Sequence, residues 1–326
     1  MLHSNLQVQD SRGATGWLEY VVAFARPFRM PDFFLIAGLF LRNVINRPWR
    51  VYLDKKVVHF AYFYVLWAGI QFALFGWREA YKAGEGPAGI AGQYLLTFVE
   101  PSGSLWFIHS LALYFVIVRV TRRVPPWIIL LVTGALQCVG PTTGWMVPDE
   151  FALRFVYFFS GYIFARPLFR IAEWGLAHSR LACAYLLGWG VMEQYLVARG
   201  WSALPGVGLA LGYVGAMAVV FTGGLCSRFR ATSWLRYLGE NSIVVYLAYY
   251  TAERIAVALR ADRLPDIGTA ALVLTVCSVI GALLIRATAD RLGIRFLFWR
   301  PAWTRVQAAA PAVLKSVPVA NRQAPF

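Results

Sequence analysis

Ile267-Gly-Thr-Ala-Ala-Leu-Val-Leu-Thr-Val-Cys-Ser-Val-Ile-Gly-Ala-Leu-Leu-Ile285 is nineteen residues without a charge. About 20 such residues cross the hydrocarbon core of a bilayer as an α-helix. Comparable runs recur along the chain, at about 30–45, 57–77, 104–120, 126–144, 151–168, 181–198, 204–224, 238–257 and 267–287. Nothing alternates with period two as a barrel strand would, and unpaired backbone is not tolerated in lipid, so the runs read as helices. The expected fold is all-α, a polytopic membrane bundle of about nine transmembrane helices. Gly208 and Gly212, four apart, fit close helix packing, and Gly206-Val-Gly208 is too apolar for a phosphate loop.

Composition agrees. Of 326 residues 59% are hydrophobic and 14% charged, against roughly 25% charged in soluble domains. A net charge of +15 would suit nucleic acid, but the basic residues sit in the short gaps between apolar runs. Alternate gaps (42–56, 119–123, 166–180, 228–236 and the tail from Arg286) hold 21 of the 31 Lys and Arg. By the positive-inside rule that side and the C-terminus are cytoplasmic. An odd number of spans then puts the N-terminus outside. Residues 1–20 are polar and no signal peptide is read there, so either a short polar tail is translocated unaided or, the favoured expectation, a further helix lies upstream of Met1. Residues 1–29 then read as an extracytoplasmic segment, 30–287 as the membrane domain and 288–326 as a basic cytoplasmic tail. Cys138, Cys183, Cys226 and Cys277 lie far apart in or beside apolar runs and read as buried thiols, with no metal-binding spacing.

Ionisable groups inside a membrane are costly and are paired or functional. On the outer side these are His3, Arg29, Asp32, His109, Arg154, Glu193 and Glu253; on the inner side Lys55, Lys56, His59 and Glu240. Arg29 and Asp32, three apart, share a helix face, as an interfacial ion pair at a Pro-initiated helix or as a polar wall for a substrate. His109 is a hydrogen-bonded helix contact or a catalytic group. Glu193, Glu253 and Arg154 read first as groups snorkelling to water. Lys55, Lys56 and His59 are a cytoplasmic anchor or a contact for a phosphorylated donor. His178 reads as solvated, and Tyr237-Leu-Gly-Glu-Asn-Ser242 as a turn opening a helix.

Four segments, in order, resemble the acyltransferase-3 family of membrane O-acyltransferases. They are Arg29-Met-Pro-Asp-Phe-Phe-Leu-Ile-Ala-Gly38; Lys55-Lys-Val-Val-His59 with Tyr62, Tyr64 and Trp67; Leu105-Trp-Phe-Ile108; and Tyr237-Leu-Gly-Glu-Asn-Ser-Ile-Val-Val-Tyr-Leu247. The resemblance implies ten transmembrane helices. It implies transfer of an acyl group, acetyl or succinyl, from a cytoplasmic donor such as acyl-CoA to a hydroxyl of an extracytoplasmic carbohydrate or envelope molecule. No bound cofactor is implied, and the setting is a bacterial inner membrane. The family's basic residue, ten residues, then His would place the catalytic base at His3, with its basic partner before Met1. Arg29, Asp32, Trp106 and His109 would line the acceptor side, and Lys55, Lys56 and His59 the donor side. The family's Arg-x-x-Arg has a similar spacing in Lys56 and His59 and a literal copy in Arg47 and Arg50. Alternatives are a transporter or flippase of envelope precursors without acyl chemistry, and an inactive truncated member.

Overall fold

The structure is a computed structural model and describes residues 2–13, 15–101, 103–260 and 264–305, without the side chains of Leu2, His3, Asp10, Ser11 and Arg12. The described residues form helices and short turns, with no strand. The helices are α1 (Leu2–Arg12), α2 (Leu18–Leu39), α3 (Trp49–Lys82), α4 (Pro87–Leu96), α5 (Trp106–Val120), α6 (Pro126–Val139), α7 (Met146–Ile163), α8 (Ala165–Ala177), α9 (Ser179–Ala198), α10 (Val207–Cys226), α11 (Ser233–Glu240), α12 (Ser242–Ala258) and α13 (Ile267–Arg291). Each of the nine expected spans corresponds to one of them: α2, α3, α5, α6, α7, α9, α10, α12 and α13. Four of these, α3, α9, α10 and α13, are long and apolar enough to cross a bilayer by length and composition alone.

Lipid rather than water explains the surface. Leu187 and Val191 on α9 are both 73% exposed, and Leu284 on α13 is 60% exposed. A soluble protein rarely presents large apolar side chains in such stretches. The cysteines follow the same logic. Cys183 and Cys277 are exposed and Cys138 and Cys226 half-buried, all free, so the buried-thiol expectation is corrected. A weakly polar thiol faces hydrocarbon at little cost.

Several boundaries differ from the sequence reading. The span expected at 30–45 is α2, which begins twelve residues earlier at Leu18 and ends at Leu39. Glu19, Arg26, Arg29 and Asp32 interrupt the apolar run, and Pro27 and Pro31 look like helix starts. Both prolines instead lie inside the helix, where neighbouring helices support the interrupted hydrogen-bond ladder. The second span extends both ways into the 34-residue α3. Residues 238–240 belong to the separate helix α11. Asn241 follows it, its amide donating to the Tyr237 carbonyl at 2.8 Å rather than capping α12.

α2, α5 and α7 form the interior, and α7 is buried continuously from Phe155 to Gly161. α2 crosses it at two glycines: a Cβ on Gly38 would overlap the Phe158 carbonyl, and one on Gly161 the Leu35 carbonyl. Small residues at such a crossing bring two backbones together, and van der Waals contact takes the place of a hydrophobic driving force. α10 docks on the same pair, Gly212 receiving the Tyr157 ring and Gly215 the Phe28 ring. Of the two glycines singled out in sequence, Gly212 therefore carries the packing, while Gly208 sits against the Ser202 carbonyl.

The crossing yields a direct test. Gly161→Leu should destabilise the folded protein in detergent by ~3 kcal/mol or more through overpacking. The same substitution at Gly188, which has open space around it, should leave the thermal midpoint unchanged. Equal effects at the two positions would contradict the crossing.

Candidate functional site

All four sequence segments meet on α5. Phe34 of α2 lies 4.7 Å from the Phe107 ring and 6.0 Å from Trp106, and Phe33 lies 6.0 Å from Phe107. From α3, Phe60 stacks on Phe115 at 5.6 Å, and the Lys56 ammonium sits 4.9 Å from the same ring. From α12, Tyr246 packs at 5.7 Å from Phe107. Its hydroxyl donates to the Ser104 carbonyl and hydrogen-bonds the backbone of Phe107 and Ile108. Tyr246 thus caps the N-terminus of α5, whose first N–H groups have no partner within the helix.

That cap answers a problem set by length. α5 has 15 residues, about 22 Å at 1.5 Å per residue, against a core of ~30 Å. Part of the segment before it, Pro101, Ser104 and Leu105, is therefore buried in protein, while Val99 and Gly103 are exposed. Leu105 is 2% exposed and Ser104 is buried. Non-helical backbone at membrane depth is tolerated where protein covers it or it lines a cavity. Both hold here: the Tyr64 hydroxyl donates to the Thr97 carbonyl, and a cavity of about 270 Å³ opens beside the segment.

The cavity runs along α3 from Glu79 to Tyr64, with Gln71, Phe72, Phe75 and Tyr250 on its wall. Fifteen residues separate Glu79 from Tyr64, a rise of about 22 Å. Phe72–Gly76 is a π-helical turn, a widened turn that departs from the α-helical ladder and is common at functional sites. At the rim the Arg254 guanidinium of α12 pairs with Glu79 at 2.5 Å and donates to the Tyr250 hydroxyl at 2.9 Å. The His109 ring does not line the cavity but stands 5.0 Å from Tyr64, which does. Its imidazole hydrogen-bonds the Phe98 backbone, while Nδ1 is buried without a partner.

The other expected acceptor-side residues divide. Trp106 packs on Phe34 next to His109's helical turn. Arg29 and Asp32 lie inside α2 rather than at its start and do not pair with each other, which corrects the ion-pair reading. The charges that act on Arg29 are those of Arg154, Arg26 and Glu19. Asp32 has a buried, unbonded Oδ1. Arg154 pairs with Glu150 at 2.9 Å instead of snorkelling alone. Glu193 and Glu253 are buried, at 0% and 3% exposure, so the snorkelling reading is corrected for both. Each lies on the inward face of its helix.

His3 lies in the first turn of α1; its side chain lies outside the described residues. The next residue, Ser4, donates to Glu253 at 2.6 Å and shares a hydrogen bond with the Tyr249 hydroxyl at 2.6 Å. Tyr249 is less than one turn from Tyr246 along α12. The helix turn that carries His3 is thereby fixed to the helix that caps α5.

At the opposite end, Lys55 and Lys56 lie in a second π-helical turn, Asp54–Val58. Lys55 is exposed; Lys56 and His59 are half-buried. The His59 ring packs at 5.1 Å from Phe63. Arg47 and Arg50, the literal Arg-x-x-Arg, are exposed. The segment after α13 closes over this mouth. Arg300 pairs with the Asp54 carboxylate and donates to its carbonyl at 2.6 Å. Trp67 donates to the Leu297 carbonyl at 2.9 Å and Tyr62 to the Phe296 carbonyl at 3.0 Å. Of the tail expected over 288–326, residues 306–326 lie outside the described residues.

The comparisons with known proteins agree with this convergence. A family model described as Acyltransferase domain, Acyl_transf_3, matches residues 1–287. Inner membrane protein YcfT of Escherichia coli (strain K12) is 26% identical over 245 residues, covering 72% of this chain and 67% of that protein. No solved structure matches the chain. Matched over most of its length, and with the four family-like segments packed against a single helix, the chain belongs to the acyltransferase-3 family.

Proposed function

We propose that this protein is an O-acyltransferase of a bacterial inner membrane. It would move an acetyl- or succinyl-class group from a cytoplasmic acyl-CoA to a hydroxyl of an extracytoplasmic carbohydrate or envelope molecule. One observation carries the reading. His59 at the basic mouth and Tyr64 at the cavity floor are five residues apart on α3, about 7.5 Å of rise. A group transfer across a ~30 Å core needs two openings that nearly meet. The basic mouth and the cavity approach that closely on one helix. A relative named as an inner membrane protein supports the location, and the 21 basic residues on one side support a cytoplasmic C-terminus.

In this reading the acceptor enters between Glu79 and Tyr250. Phe72, Phe75 and Tyr250 offer faces for a sugar ring, and Gln71 and Glu79 offer hydrogen bonds. An acceptor hydroxyl has a pKa far above neutral, so attack on the thioester needs a base to take its proton. An imidazole suits that role near neutral pH, and general-base help is worth roughly 10²–10⁴-fold. His3 is assigned as that base. Ser4, held by Glu253 and Tyr249, positions its turn. The oxygen–carbon bond forms, the thioester C–S bond breaks, and the thiol leaves on the basic side with a proton. Lys56 and His59 lie at the donor entry. His109, packed against Tyr64, is assigned to the acceptor side.

A transporter or flippase would need the same two openings and no acyl ester. The deciding measurement is the base-labile O-acyl content of envelope carbohydrate. Deleting the gene should abolish the ester this protein makes, and His3→Ala should reduce it at least 100-fold at equal protein level. Unchanged ester content in the deletion strain would remove the acyltransferase assignment. Full activity of His3→Ala would remove the base.

The cap on α5 gives a second expectation. Tyr246→Phe leaves the ring in place and removes the hydroxyl, exposing a buried carbonyl and two N–H groups. Loss of such a bond costs about 1–3 kcal/mol of folding stability, which should appear as a lower thermal midpoint in detergent, with activity falling through kcat rather than donor KM. A donor KM effect alone would place Tyr246 elsewhere in the mechanism.

A further inference from the structure

The basic face holds a second cavity, of about 370 Å³, between the turn that follows α2 and the junction of α7 with α8. It is lined by Arg42, Asn43, Asn46, Tyr162 and Arg166 among others, and no Asp or Glu lines it. Arg42 and Arg166 are exposed, and neither has an ion-pair partner among the described residues. Positive-inside topology explains basic residues in these loops. It does not explain two unpaired guanidiniums and two side-chain amides around one concavity.

A third guanidinium lies outside its lining. Arg119 is 4% exposed, held between the Trp49 and Tyr52 rings at 5.1 and 5.2 Å. Its Nη2 donates to the Arg47 carbonyl at 2.7 Å. Nε and Nη1 are buried with no hydrogen-bond partner. Arg119 is in electrostatic contact with Tyr162, which forms one wall of the cavity. Buried N–H groups of a guanidinium are costly to leave unbonded. A dianionic oxygen ligand in the cavity would balance the local positive charge, and arginine forks match phosphate geometry.

We propose that this cavity is a phosphate-binding site, with Arg42 and Arg166 as its forks, Asn43 and Asn46 as neutral donors and Arg119 as the buried counter-charge. Neither Lys56 nor His59 lines it. Its assignment to the 3′-phosphate of a coenzyme A donor rests on the acyl-transfer reading above; the site itself does not. An anionic lipid headgroup offers the same chemistry.

The test uses the purified full chain, with coenzyme A, dephospho-coenzyme A and nanodiscs of phosphatidylglycerol or phosphatidylcholine as probes. The double variant Arg42→Gln/Arg166→Gln should bind coenzyme A about tenfold or more weakly and no longer distinguish it from dephospho-coenzyme A. Arg42→Lys/Arg166→Lys should fall between, since lysine keeps the charge but not the fork. The thermal midpoint reports folding independently. If coenzyme A binding is unchanged but the glutamine variant loses the phosphatidylglycerol that the wild type retains, the site stands with lipid as its occupant. If neither coenzyme A binding nor lipid retention changes in the folded variant, the proposal is overturned. Phosphate binding that responds to the arginines, in a protein that forms no acyl ester, would remove the acyltransferase reading and leave this site in place.

Discussion

A backbone amide in hydrocarbon must find a partner, and α5 is too short to supply partners across the whole core. Its 15 residues leave the segment before it at membrane depth, where water cannot solvate it. Tyr64 from α3 and Tyr246 from α12 take up that segment's polar groups. The cavity beside α3 exists because a regular helix does not fill that volume.

The two π-helical turns of α3 belong to the same design. One widens the helix at Lys55 and Lys56, the other along the cavity wall at Phe72–Gly76. Between them α3 is regular and carries His59, Phe63, Tyr64 and Trp67 against its neighbours. The glycine crossing of α2 and α7 fixes the position of α2, so that Phe33 and Phe34 reach the aromatic residues of α5. A rigid interior of this kind keeps the cavity and the covered basic end of α3 apart.

Much of this was legible in the sequence because membrane helices announce themselves by apolar length and by loop charge. The nine spans, the all-α class and the family followed from those signals and from four short segments in the right order. The start of α2 was not legible, since prolines and charges inside a helix resemble a helix start until neighbouring helices are known to support them. Tyr246 stood within a quoted segment with no role. Its partner Ser104 is 142 residues away, and no local pattern encodes that distance. The Arg300–Asp54 pair, 246 residues apart, was hidden for the same reason, and Tyr64 was named only as one of the aromatic residues that follow Lys55–His59. Glu193 and Glu253 were misread because position near a helix end says nothing about which face is covered.

The central claim is that acyl transfer runs from the basic face to the cavity on the other side. Labelled acetyl-CoA supplied to sealed native membrane vesicles of defined orientation tests it most directly. Vesicles with the cytoplasmic face outward and containing the protein should accumulate label in base-labile esters of lumenal material, while right-side-out vesicles should not. Equal labelling in both orientations, or none above vesicles lacking the protein, would contradict the account.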